Sequence, residues 1–200
     1  MQHNLPGPDP MSSTRVPDSG ASHIAARSAT DTGVQWTEEE LRTSAAVFPL
    51  EFLEIQEQHR VLGGRDPFIG FHVKTDRLRE TVVQGLMSHL LHLRQRYVEG
   101  GGSDDATTIL VPLSITSILP LLRGVQRLLG RPVLSHSDAV IKDVAEQLKL
   151  DLQGLLDGLL LKRGQISPGP HEVPRLFDRY LQAATLLTHA VEQLSQSGRR

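Results

Sequence analysis

Residues 75–97 read TDRLRETVVQGLMSHLLHLRQRY, and this stretch decides the fold. Apolar side chains recur at Leu78, Val82, Leu86, Leu90, Leu93 and Tyr97, the spacing of one helical face. Thr75 or Asp76 stands where an N-cap belongs. Gly100-Gly101-Gly102-Ser103 follows the last periodic residue and stops the helix. No Lys follows these glycines, and Asp104-Asp105 would repel phosphate, so they do not form a phosphate cradle. A single amphipathic helix is marginal in water, so its stripe requires partners.

Those partners are legible downstream. A second long segment runs from about Ala106 to Leu129, and Gly130 with Pro132 closes it. Pro120 removes one helical N–H, which predicts a kink or break near Ser117. Ser135 or Ser137 caps a third helix with the face Val140, Ile141, Val144, Ala145 and Leu148. Asp151 caps a fourth, with Leu152, Leu155, Leu156, Leu159 and Leu160, and Gly164 stops it. Pro174 suits the first position of a last helix that buries Phe177, Leu181, Ala184, Leu187, Val191 and Leu194. The fold class is mainly α, a bundle of four to six helices.

Upstream the pattern is weaker. Thr37-Glu38-Glu39-Glu40 is a capping box, and three acids favour the positive end of a helix reaching about Ala46. Val47–Gln56 reads VFPLEFLEIQ. Period 3.6 groups Phe48, Phe52 and Ile55, while period 2 does not separate apolar from polar, so a helix and a short strand near 48–55 both stay open. Gly63-Gly64 ends the segment and Asp66-Pro67 marks a turn. Residues 1–35 are expected to be a disordered tail, because the first thirty-three hold no aromatic residue and too little apolar surface to offset ordering. The helical domain is then 36–196, with an irregular capping segment at 36–73 and the bundle at 74–196.

Composition narrows the function classes. The 200 residues include no Cys, which excludes disulfides, thiolate nucleophiles and thiolate zinc sites. The absence of Cys also fits a cytoplasmic location. Lys+Arg 21 against Asp+Glu 23 gives no field to attract a phosphate backbone, so no nucleic-acid partner is expected. The N-terminus does not read as a signal peptide. Ile109–Leu122, the longest apolar stretch, falls short of the roughly 20 residues of a span and contains Pro112 and Pro120. A core helix, and no membrane partner, is the expectation.

One block carries a family resemblance. Thr37-Glu38-Glu39-Glu40-Leu41-Arg42, Ser44, Val47-Phe48-Pro49-Leu50-Glu51-Phe52-Leu53-Glu54-Ile55, His59-Arg60-Val61-Leu62, Gly64 and Asp66-Pro67-Phe68 stand in order. Leu78-Arg79 and Leu90-Leu91-His92-Leu93-Arg94-Gln95 follow. Over about residues 37–195 this resembles bacterial proteins of the nucleotidyltransferase superfamily, distantly like kanamycin nucleotidyltransferase. In that group a polymerase-β-like catalytic domain precedes a helical C-terminal domain. The resemblance implies the helical part alone, with the catalytic domain missing.

The family's catalytic domain begins with a Gly-Ser turn and two acids one residue apart, which hold magnesium on the nucleoside triphosphate. Gly20-Ala21-Ser22 and Asp31-Thr32-Gly33 echo that pattern, but Gly33 stands in place of the second acid. If Val47–Gln56 were a catalytic-domain strand, Glu51 would take the place of a third carboxylate. A lone carboxylate cannot clamp a magnesium–phosphate group. No cofactor is therefore expected, with magnesium and a triphosphate bound only if a catalytic domain is supplied.

The functional expectation is a non-catalytic helical module that acts by binding a partner or substrate. A second copy or a separate catalytic subunit would cover an apolar face at Phe48, Leu50, Phe52, Phe68 and Phe71. One alternative is a fragment of an active nucleotidyltransferase whose catalytic domain lies upstream. Another is a toxin-like ribonuclease, since Arg131 and His136 have the spacing of the pair used by some helical ribonuclease toxins. Pro132 after the Arg points to chance spacing in a loop. His89 and His92 share a helical face but lack an acid at matching spacing, which favours partly buried or surface histidines over metal ligands. Arg94, Arg96, Arg123 and Arg127 would form a basic patch if their helices were neighbours, with a solvated face as the default.

Overall fold

The computed structural model describes residues 23–26, 34–62 and 65–197. Among these, seven helices dominate, and the chain is mainly helical. A boundary between two compact units falls between Leu41 and Arg42.

In the first unit, strand β1 (His23–Ala26) pairs antiparallel with β2 (Val34–Thr37), placing Ile24 opposite Trp36 and Ala26 opposite Val34. Part of the stretch expected to be a disordered tail is thus a short ladder. Backbone groups can pair across four residues without a hydrophobic core, which a composition argument does not detect. The rest of that expectation lies outside the described residues, as do Gly20-Ala21-Ser22, Asp31-Thr32-Gly33 and Gly63-Gly64. Helix α1 (Glu38–Val47) opens on the expected capping box. The Glu40 N–H donates to Thr37 Oγ1 at 3.2 Å, and the Thr37 N–H donates to Glu40 Oε2 at 2.8 Å.

Within the second unit, α2 (Pro49–Gln58) settles the ambiguous segment as helix, so the short strand near 48–55 does not form. Pro49 fits the first helical turn, where its missing N–H has no partner to lose. The buried face is also rotated from the expected one. Pro49, Leu50 and Phe52 are buried, whereas Phe48 is 54% and Ile55 45% exposed.

Helix α3 (Leu78–Glu99) buries Leu78, Val82, Leu86, Leu90 and Leu93 as the period requires, and Tyr97 stacks on Phe177 at 4.0 Å. Its N-cap is Arg77, without a side-chain bond, and not Thr75 or Asp76. Gly101 and Gly102 then adopt φ of 62° and 63°, conformations that favour glycine, and return the chain for the next helix. Helix α4 (Asp104–Leu128) starts with Ser103 Oγ accepting from the Ala106 N–H at 3.3 Å. It continues through Pro112 and Pro120, so of the kink or break expected near Ser117 the break does not occur. Each proline costs a helical hydrogen bond, but the buried Val111, Ile115, Ile118, Leu119 and Leu122 hold the helix on course.

Helices α5 (Ser137–Leu148), α6 (Gln153–Lys162) and α7 (Val173–Ser197) complete the bundle. Cap assignments shift by a residue or two: His136 precedes α5, Leu152 precedes α6, and Pro174 is the second residue of α7. Asp151 still accepts from the Gln153 N–H at 3.0 Å. Helix α4 is the hub, packing against α2, α3, α5, α6 and α7. By length and composition alone it is apolar enough to cross a membrane, yet half of its most apolar window is buried inside the protein.

Helices α6 and α7 approach closely at Gly154. A Cβ on Gly154 would fall on the Arg179 carbonyl and the Tyr180 amide, so only glycine fits there. Gly154→Ala is expected to cost about 3 kcal/mol despite alanine's better helix propensity. Gly169→Ala, whose Cβ would meet only Glu172 Oε2 at 3.8 Å, is expected to cost far less in the same urea-unfolding comparison.

Candidate functional site: a polar cluster beneath the α3–α4 cleft

His89 falls on the apolar stripe of α3, and Ser114 on the buried face of α4. A buried imidazole and a buried hydroxyl must find partners or lose the energy of their hydration. They find each other, with His89 Nε2 3.1 Å from Ser114 Oγ. Tyr180, fully buried on α7, lies with its hydroxyl 2.9 Å from Ser114 Oγ. On the other side of the ring, Nδ1 lies 3.2 Å from Ser117 Oγ, which is 2.9 Å from the Ser114 carbonyl oxygen.

Counting hydrogens assigns every direction in this cluster. The carbonyl of Ser114 can only accept, so the Ser117 hydroxyl donates to it. Ser117 Oγ therefore accepts from His89, and Nδ1 carries the ring's hydrogen. Nε2 is left bare and accepts from the Ser114 hydroxyl. Ser114 Oγ in turn accepts from the Tyr180 hydroxyl. Each hydrogen is used once in the order Tyr180, Ser114, His89, Ser117, Ser114 carbonyl.

The electrostatics agree with that order. Burial, reinforced by the charge of nearby His92, pushes the His89 pKa down from 6.5 to about 4, so the ring is neutral at pH 7. Burial pushes the Tyr180 phenol above its ordinary value, against a smaller downward effect of its bond to Ser114. The phenol therefore stays protonated and able to donate.

His89, Ser114 and Ser117 of this cluster floor a cleft of about 430 Å³ between α3 and α4. Ser88, His92 and Arg96 line its α3 side, and Leu110, Leu113 and Leu121 its α4 side. A serine hydroxyl on an imidazole is also the start of a nucleophile–base pair. Here the imidazole is a weak base, far from the value that suits proton transfer near neutrality. Its far nitrogen is oriented by a serine and not by a carboxylate. The arrangement is suited to holding shape and presenting lone pairs, not to drawing a proton from Ser114.

The other sequence candidates are dispersed. Of the expected apolar face, Leu50 and Phe52 are buried within the chain, Phe48 is exposed, and Phe68 and Phe71 are half-buried. Phe71 has its ring 5.6 Å from that of Phe68 and 6.4 Å from that of Phe52. Phe68 also packs on the His59 ring at 4.7 Å. Glu51 is exposed on α2, and with a helix there the strand that would have aimed it does not exist. Arg131 pairs with Asp143 at 3.3 Å in the loop after α4, and His136 sits just before α5, so the two do not share a helix.

The four arginines do not make a patch. Arg123 donates to Glu54 at 2.6 Å, and Arg127 reaches Glu54 at 3.4 Å and Glu57 at 2.7 Å. Arg94 and Arg96 remain exposed on α3. Among the described residues no three of His, Asp and Glu gather as a metal would require.

Ser114, Ser117 and Tyr180 are the site residues that sequence reasoning missed. The signal was His89 itself, since an imidazole on a buried stripe demands a polar group on whichever helix faces it. No protein-family model, curated protein or solved structure matches this chain.

The neutral His89 has a consequence for stability. Between pH 6.5 and about 4 the unfolded chain binds a proton that the folded chain refuses. Stability is therefore fully present above 6.5 and falls with pH through this window, by up to about 3 kcal/mol from this group. Urea unfolding of His89→Gln is expected to show a shallower loss over that window. In the unaltered protein, the His89 Cε1 proton resonance should stay flat from pH 8 to 5. A titration near 6.5 would contradict the buried assignment.

Proposed function

We propose that this chain is a helical binding module and that the α3–α4 cleft is its ligand site. The observation that carries the reading is the closed floor: a neutral His89 whose two nitrogens are both taken by serines, beneath a cleft of about 430 Å³. Pockets between bundle helices, mainly apolar with a few fixed polar groups, are where small molecules bind. The nucleotidyltransferase resemblance supports the same reading. In such two-domain proteins the helical part generally shapes the acceptor-substrate pocket, and the α3–α4 cleft would be its counterpart here. Nucleotidyl transfer itself would need a catalytic domain on a separate subunit or elsewhere in a longer chain, and Phe48 with its exposed neighbour Val47 offers apolar surface for such a partner.

A fragment screen read by 1H–15N spectra tests the proposal. Binding fragments are expected to shift amides of residues 85–96 and 110–121 together. Magnesium–ATP added to the chain alone is expected to leave them unmoved. Tight magnesium–ATP binding, or fragments that perturb only other regions, would remove the reading.

A further inference from the structure

The cleft is polarised, and its polarity selects a ligand class. The floor has no hydrogen left to give. The Ser114, Ser117 and Tyr180 hydroxyls and the His89 N–H each donate within the cluster. An anion seated on that floor would meet only lone pairs. The α3 lip is the opposite. His92 and Arg96 are four residues apart on one helical face, both exposed, and both line the cleft. Arg96 makes no ion pair among the described residues, unlike Arg123 and Arg127, whose charges are met by Glu54 and Glu57. No carboxylate lines the cleft at all. The rest of the lining is Gly85, Ser88 and Leu93 on α3 and a leucine wall of Leu110, Leu113 and Leu121 on α4.

Resting on the binding reading above, we propose that the cleft binds a small carboxylate with an apolar body, its carboxylate on Arg96 and His92 and its chain along the leucine wall. Guanidinium matches a carboxylate with two parallel N–H bonds, which a neutral head cannot reproduce. A hydroxyl on the ligand's inner end would find the free lone pairs of Ser117 or Ser114.

The test titrates the full chain with octanoate, octan-1-ol and acetate, followed by 1H–15N spectra, for the unaltered protein and for Arg96→Gln and Arg94→Gln. Octanoate is expected to saturate the cleft amides, and acetate to bind far more weakly. Arg96→Gln is expected to weaken octanoate about tenfold or more while leaving octan-1-ol unchanged. Arg94→Gln, a neighbouring cation outside the cleft lining, should change neither. Octan-1-ol binding as tightly as octanoate, or octanoate indifferent to Arg96→Gln, would overturn the anionic class while leaving the cleft a ligand site. Neither eight-carbon probe reaching the cleft would overturn this proposal, and the fragment screen would then decide separately whether the cleft binds anything.

Discussion

Helix α4 is apolar around much of its circumference, and that single fact arranges the helices around it. Val111, Ile115, Ile118, Leu122 and Val125 are all fully buried. A helix with an apolar stripe on one side needs one neighbour, whereas a helix apolar on several sides needs a ring of them. Helices α2, α3, α5, α6 and α7 form that ring. Small residues let them come near. Gly124 leaves room for Leu50 and Val82, and Gly158 for Tyr180 and Val111. Two prolines inside α4 are tolerated because the burial gained on every side outweighs two missing hydrogen bonds.

A central helix must also resolve whatever polar groups it carries. Gln126, fully buried, donates to Asp143 at 2.6 Å and accepts from the Leu134 N–H at 3.4 Å. Ser114 is resolved by α3 and α7 together, through His89 and Tyr180. That second solution lies at the cleft between α3 and α4. A polar cluster required by folding thereby lines the cleft proposed as the ligand site. Its neutrality follows from burial, since a charged imidazole there would be desolvated without a counter-charge.

The placement of α2 depends on charge as well as shape. Glu54 sits between Arg123 and Arg127 at the α2–α4 contact, with little exposure for any of the three. Breaking such a pair by removing one partner strands the other charge, so the group acts as a lock on position more than as a source of net stability. Arg123 Nε and Arg127 Nη1 are buried without a partner, which leaves the lock imperfectly satisfied. It also pairs two cations of α4, whereas Arg96 beside the cleft makes no ion pair among the described residues.

The helical class, the stripes of α3 and α5 and the Thr37 capping box were legible in the sequence, because short-range periodicity and local hydrogen bonding fix them. The face of α2, the continuity of α4 and the β1–β2 ladder were not. They turn on which neighbour covers a residue, and a linear pattern does not contain that information. The site shows the same division. His89 could be seen as a histidine bordering an apolar stripe, but its partners lie twenty-five and twenty-eight positions away at Ser114 and Ser117, and Tyr180, which bonds Ser114, lies ninety-one away. Sequence by itself determined that leucine-rich helices must bury one another. Only tertiary packing decided which hydroxyls meet the imidazole and which arginines are paired with glutamates, because hydrogen bonds and ion pairs across helices depend on rotation and approach rather than on spacing along the chain.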